Sequence, residues 1–149
     1  MSLIQSSQQA KGNKAVKSVQ YTPLKKSIAR GEGGHYVVKR LLKTGHVMTP
    51  SAIAKLRQVA KKFQGKPYDP TFEWSDDRIY CSELVWKIYD RGIGVHIGCL
   101  RKLRDFDLSN GAVKNKMKKR YGDQIPLEET VISPGDMFKS ELTETVYER

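Results

Sequence analysis

The chain has 149 residues, 38% hydrophobic and 29% charged, which suits one domain with a modest core and excludes a disordered polymer. No apolar run approaches the roughly 20 residues that span a bilayer, and the opening residues lack the apolar centre of a secretory signal. A formal net charge of +11 favours anionic partners such as nucleic acid, acidic lipid or a cell-wall polymer, although a solvated basic surface is the simpler reading. No zinc-finger or RNA-binding aromatic signature accompanies the charge, so no specific nucleic-acid role is expected.

Residues 1–20 are polar and basic and read as an arm or irregular segment. Their "MSL" opening reads as a cloning remnant, so the missing leader says little about location. "YTPLKKSIARGEGG" starts at a Thr-Pro turn, carries one helical turn through Leu24 and Ile28, and breaks at Gly31, Gly33 and Gly34. "HYVVKRL", residues 35–41, is β-branched and aromatic and reads as a strand. Its adjacent Val37 and Val38 predict cover on both faces. Next comes a helix with clear punctuation. Thr49 caps, Pro50 takes the first position, Ile53, Leu56, Ala60 and Phe63 recur at helical spacing, and Gly65 ends the element.

A second helix is predicted from Cys81 to Asp90 with Gly92 as its stop, placing Cys81, Leu84, Val85 and Ile88 on one buried face. "GIGVHIGCL" reads as a short strand or loop. "LSNGAVKNKMKKRYG" reads as a third, basic helix, with Val113, Met117 and Tyr121 on its apolar side and Lys114, Lys116, Lys118, Lys119 and Arg120 exposed. "IPLEETVISPGDMF" reads as closing loops and "LTETVYE" as a terminal strand.

Two cysteines, Cys81 and Cys99, do not make a disulfide framework. His96 and Cys99 form an H-x-x-C pair, half of a metal site whose other half is not visible, so no metal or cofactor is expected. Cys81 is the chemically interesting residue. A thiol attacks as its thiolate, and the first turn of a helix offers unpaired N–H groups and partial positive charge that stabilise both a thiolate and a developing oxyanion. Glu83, at the third helical position, is placed to fold back on the N–H at the helix start. The competing reading of Cys81 is a small hydrophobe at the edge of the core.

The stretch "GKPYDPTFEWSDDRIYCSELVWKIYDRGIG" resembles the motif of the permuted papain-like amidases of the YiiX/YebB-like group, circularly permuted relatives of NlpC-type cell-wall peptidases. The flanking "VQYTPLKKSIARGEGGHYVVKRL" and "LRDFDLSNGAVKNKMKKRYGDQIPLEETVISPGDMF" are similar to the same family, so the likeness runs from about Val19 to Phe138. It implies an α+β, papain-like fold in which the nucleophile helix packs on an antiparallel sheet. It also implies that Cys81, in "YCSE", is the nucleophile and that Tyr68, in "GKPY", lines the site near the oxyanion. The implied reaction is thiolate attack on an acyl carbon, a cysteinyl acyl-enzyme, then hydrolysis or transfer. The implied substrates are amides or esters, in cell-wall peptide or lipid, and the implied location is the cell envelope.

The family pattern also places a histidine, with a polar partner following it, on a strand ahead of the cysteine. Here only "QAKGN" and a few neighbours separate the family-like segments "IQSSQ" and "KAVKSVQYTPL", and no histidine stands there. His35, His46 and His96 lie outside the expected context, and none is assigned as the base. The expectation is a single domain over 1–149 that lacks part of its N-terminal region between about 8 and 19, with a spatial break between Gln8 and Val19. Three functions then compete: a thiol-dependent amide hydrolase, a lipid acyltransferase or lipase of the same fold, and a non-catalytic module binding an anionic polymer.

Overall fold

In the computed structural model the described residues are the backbone of Ser2–Ser6, then 18–29, 32–42 and 48–149. The expected break between Gln8 and Val19 falls on residues 7–17, and His46 within 43–47, both outside the described residues. The elements in chain order are β1 (Ser2–Ser6), β2 (Val19–Pro23), α1 (Leu24–Ile28), β3 (Val37–Leu41), α2 (Pro50–Phe63), α3 (Cys81–Ile93), β4 (Arg101–Lys102), α4 (Gly111–Tyr121), β5 (Thr130–Val131), α5 (Pro134–Phe138) and β6 (Thr143–Glu148). The strands pair antiparallel in three two-stranded sheets, β1 with β2, β3 with β6, and β4 with β5.

Helix α2 follows its punctuation. Thr49 Oγ1 accepts from the Ala52 N–H at 3.1 Å, Pro50 opens the helix, and Gly65 leaves it at φ +83°. Its buried Leu56, Ala60 and Phe63 meet Leu84 and Ile88 of α3, with Val19 and Ile79 closing the cluster. The two helices approach closely at Gly92. A Cβ there would stand 2.9 Å from Leu56 Cδ2 and 3.3 Å from Leu56 Cα. Gly92 is therefore the contact point of α3 on α2 rather than its stop. The helix runs on to Ile93 and ends at Gly94, whose φ of +68° is the left-handed cap.

Four further expectations need correction. The first concerns residues 2–6, which form β1, a strand in register with β2, rather than an irregular arm. In the short ribbon β3–β6, Val38 is exposed, because side chains alternate along the strand and Val38 lies with Arg40 on its outer face. The "closing loops" hold β5 and the short helix α5, which Ser133 caps by accepting from the Asp136 N–H at 2.9 Å. Finally, Cys81 is not part of the buried face of α3. Its side chain is exposed, while Leu84 and Ile88 are buried and Val85 is half-buried.

Candidate active site

Cys81 is the first residue of α3, and its two neighbours fasten that position to β5 and the turn after it. The Tyr80 hydroxyl accepts from the Ile132 N–H at 3.0 Å, and the Ser82 hydroxyl donates to the Ile132 carbonyl at 2.8 Å. Both side chains are buried, so these bonds lie out of water where losing a partner is costly. The chain is thus gripped immediately before and immediately after the cysteine, and the thiol between them is left facing solvent.

Inside the helix, Glu83 performs the predicted fold-back. Its carboxylate accepts from the Tyr80 N–H at 3.3 Å, and its other oxygen lies 2.7 Å from Lys87 Nζ. Glu83 is 0% exposed and Lys87 2%. Burial pushes the Glu83 carboxyl up to about 7, with the Lys87 contacts pulling against it. Lys87 also donates to the Ser75 carbonyl at 2.6 Å and to Asp76 at 2.9 Å, and Arg91 grips the same Asp76 carboxylate at 2.6 and 2.9 Å. The Arg91 guanidinium, more than any other group, holds the Asp76 carboxyl below the usual carboxylate range.

The loop leading into α3 leaves and returns at one place. Tyr68 and Ile79 are bridged side by side, with the Ile79 N–H donating to the Pro67 carbonyl at 3.0 Å and the Asp69 N–H donating to the Ile79 carbonyl at 3.3 Å. Asp69, fully buried, turns the outgoing strand by accepting from both the N–H and the hydroxyl of Thr71 at 2.7 Å. Phe72 follows with φ +56°, a left-handed conformation that bulky side chains rarely take. Its ring packs edge-on against Tyr80, 5.0 Å between centroids.

Cys81 opens onto a cavity of about 390 Å³. Tyr68 and Phe72 of the loop, the buried Leu103 and Ile132, and Val113 and Met117 of α4 line it. The Tyr121 hydroxyl donates to the Thr71 carbonyl and ties α4 to the loop. The structure therefore brings together Cys81 and Tyr68, the two site residues named from the sequence. Burial raises the Tyr68 phenol above its ordinary range, the neighbouring Cys81 adds to the rise, and the positive charge of Arg120 opposes it. Tyr68 stays a protonated phenol through the neutral range, able to donate its O–H.

The described histidines are not in this cavity. His35 pairs with Glu148 at 3.4 Å on the exposed ribbon. His96 pairs with Asp90 at 2.8 Å and stacks on Trp86. His96 and Cys99 line one groove with Asp136, but Asp136 is bound to Ser133. Among the described residues no three of His, Cys, Asp and Glu gather closely enough to hold a metal ion. Phe72, Ile132 and Arg120 were not legible as site residues. The one available signal was that Val113, Met117 and Tyr121 make a stripe, which has Arg120 on its border.

A family profile described as "Permuted papain-like amidase enzyme, YaeF/YiiX, C92 family" matches residues 7–147. The chain is 52% identical over 132 residues to "Uncharacterized protein YiiX" of Escherichia coli strain K12, covering 89% of this chain and 64% of that protein, so it spans less than two thirds of that relative. The solved structure described as metalloprotein yiiX from Escherichia coli O157:H7 is similar at a TM-score of 0.83 and 50% identity, over 88% of this chain and 71% of that one. The fold is thus the α+β, papain-like one, with the small antiparallel sheets and mixed helices described above. The chain belongs to the permuted papain-like amidases of the YaeF/YiiX family.

Proposed function

We propose that this chain carries the nucleophile of a thiol-dependent hydrolase of amide bonds, with Cys81 attacking and Tyr68 assisting. The observation that carries the reading is the placement of Cys81: at the first turn of α3, held on both sides through Ile132, and exposed to a cavity it shares with Tyr68. The Cys81 thiolate adds to the carbonyl carbon, and the developing oxyanion takes a hydrogen bond from the Tyr68 O–H. The C–N bond then breaks, the amine leaves with a proton, and the acyl group remains as a thioester on Cys81. Water attacks the thioester carbonyl, one of its protons returns to the group that protonated the amine and the other passes to solvent or the released amine, and the C–S bond breaks to release a carboxylate and restore the thiolate. The proton that leaves with the amine needs a general acid. Neither described histidine lines the cavity.

The solved relative is called a metalloprotein. The described donors of this chain do not gather into a metal site.

The lining of the cavity favours a second reading, in which the acyl group is that of a lipid ester. Tyr68, Phe72, Leu103, Val113, Met117 and Ile132 surround the thiol with an apolar wall suited to a hydrocarbon chain or a large apolar side chain. One experiment separates the readings. The protein is incubated with a panel of peptide amides and p-nitrophenyl acyl esters, and acyl adducts are mapped by mass spectrometry. Adducts on Cys81 with peptide amides support the amide reading, and adducts with long-chain esters alone support the lipid reading. Adducts on Cys81 and Cys99 in equal yield, or none, sink both and leave the module that binds an anionic polymer.

A further inference from the structure

Helix α4 has two jobs that the sequence keeps apart on its surface. Val113 and Met117 wall the cavity and Tyr121 ties the helix to Thr71, while Lys114, Lys116, Lys118, Lys119 and Arg120 are all exposed. None of these five cations makes an ion pair among the described residues. One of them does not point away. The Arg120 guanidinium carbon lies 3.9 Å from the centre of the Phe72 ring, over the side chain that closes the cavity beside Tyr68. Its charge reaches far enough to oppose the rise of both the Tyr68 and the Tyr121 phenols. Lys116 stands one helical turn earlier on the same border of the apolar stripe.

This geometry has a chemical meaning. The cavity is apolar and Cys81 opens onto it, so the acyl side of a substrate occupies it. The other side of the scissile bond emerges at the rim. There it meets a guanidinium held over an aromatic ring, with no ion-pair partner among the described residues and able to form the paired hydrogen bonds that carboxylate and phosphate accept. The loop holds Phe72 in a left-handed conformation to place that ring, and such local cost is concentrated at functional sites.

We propose that Arg120, supported by Lys116, is the specificity residue of this site and selects substrates that carry an anionic group, carboxylate or phosphate, across the scissile bond from an apolar acyl group. The inference rests on Cys81 and its cavity being the reaction site, as argued above, but not on amide rather than ester chemistry.

The test reads occupancy rather than turnover. The rate at which iodoacetamide alkylates Cys81 is measured by peptide mass spectrometry in the presence of N-octanoylglycine, its neutral partner N-octanoylglycinamide, octyl phosphate, and inorganic phosphate alone. Both octanoyl compounds should slow alkylation, the anionic one at a concentration about ten-fold lower, as for a hydrogen bond to a charged group. Octyl phosphate should behave like N-octanoylglycine if the site reads charge, and weaker protection by it narrows the anion to a carboxylate. Arg120→Gln should erase the ten-fold preference and leave protection by the neutral compound unchanged. Arg120→Lys should restore part of the preference, and Lys118→Gln, on the other border of the stripe, should leave it intact.

Equal protection by the charged and neutral compounds in the wild type overturns the proposal, as does a preference that survives Arg120→Gln. Loss of protection by the neutral compound in Arg120→Gln overturns it too, since it makes Arg120 a prop for Phe72. Inorganic phosphate protecting as well as octyl phosphate overturns the amphiphilic substrate. If none of the compounds protects Cys81, the cavity itself is not the reaction site, and the failure belongs to the function proposed above.

Discussion

Gly98 offers the sharpest test of how the segment after α3 is seated, because two costs coincide there. Its φ is +81°, and a Cβ would stand 3.0 Å from the Asp136 carbonyl carbon, 3.0 Å from the Met137 nitrogen and 3.1 Å from the Asp136 oxygen. All three are backbone atoms of α5 and cannot swing aside. Gly98→Ala therefore pays about 1–2 kcal/mol for the left-handed backbone and about 1–3 kcal/mol for the clash, together ~3 kcal/mol. Gly65→Ala is the matched control. Its φ is +83°, but nothing lies within 4 Å of its Cβ position, so it pays only the first cost, ~1 kcal/mol. With an unfolding entropy of about 2.1 cal/mol/K per residue, a chain of 149 residues loses about 3 °C of Tm per kcal/mol. Differential scanning calorimetry should place Gly98→Ala about 10 °C and Gly65→Ala about 3 °C below the wild type. Equal shifts for the two variants would refute the close approach of Gly98 to α5.

Three further outcomes follow from the site. Glu83, whose carboxyl is raised from 4.5 to about 7, keeps a proton in the folded protein that the unfolded chain has released. Its contribution to stability is fully present below pH 4.5 and is lost as pH rises through about 7, up to ~3 kcal/mol for a shift of this size. Urea unfolding should show this decline in the wild type and not in Glu83→Gln, and a constant difference between the two from pH 4.5 to 7.5 would show that the carboxyl is not raised. Iodoacetamide should alkylate Cys81 several-fold faster than Cys99, since both are exposed but only Cys81 sits at a helix N-terminus; equal rates would count against an activated thiol. Tyr68→Phe should lower turnover of whichever acyl substrate labels Cys81 by about ten-fold or more while leaving the labelling of Cys81 by iodoacetamide intact, and unchanged turnover removes Tyr68 from the reaction.

What could be read from the sequence was what neighbours along the chain decide. Thr49 and Pro50 announced α2, Glu83 announced the reinforced start of α3, and the stripe of Val113, Met117 and Tyr121 announced the inner face of α4. Glycine was misread where its reason was a distant partner. Gly92 looked like a helix stop because Leu56, 36 positions earlier, cannot be seen as its contact. Helical spacing joined Cys81 to the N-terminal end of the buried stripe of Leu84 and Ile88. The spacing could not register that Tyr80 and Ser82 take the inward direction and bind Ile132. Strand β1 escaped because its pairing with β2 is a matter of register between segments. Arg120 and Phe72 escaped for the same reason as Gly92, since 48 positions separate two side chains in contact.

The bridge between Tyr68 and Ile79 has a consequence for how this site can change. The segment between them leaves and re-enters the body of the protein through one narrow neck, which makes it an Ω-loop packed by its own Phe72 and Trp74 against Tyr80 and Trp86. Lys87 and Arg91 anchor the returning limb at Ser75 and Asp76, before the chain reaches Cys81. Lengthening such a loop costs little closure entropy, about 0.6 kcal/mol for a doubling. The exposed side chain of Glu73 can be exchanged without moving the sulfur, so the outer surface of the loop can diversify while Phe72 and Trp74 on either side keep it packed against Tyr80 and Trp86 and the nucleophile keeps its place.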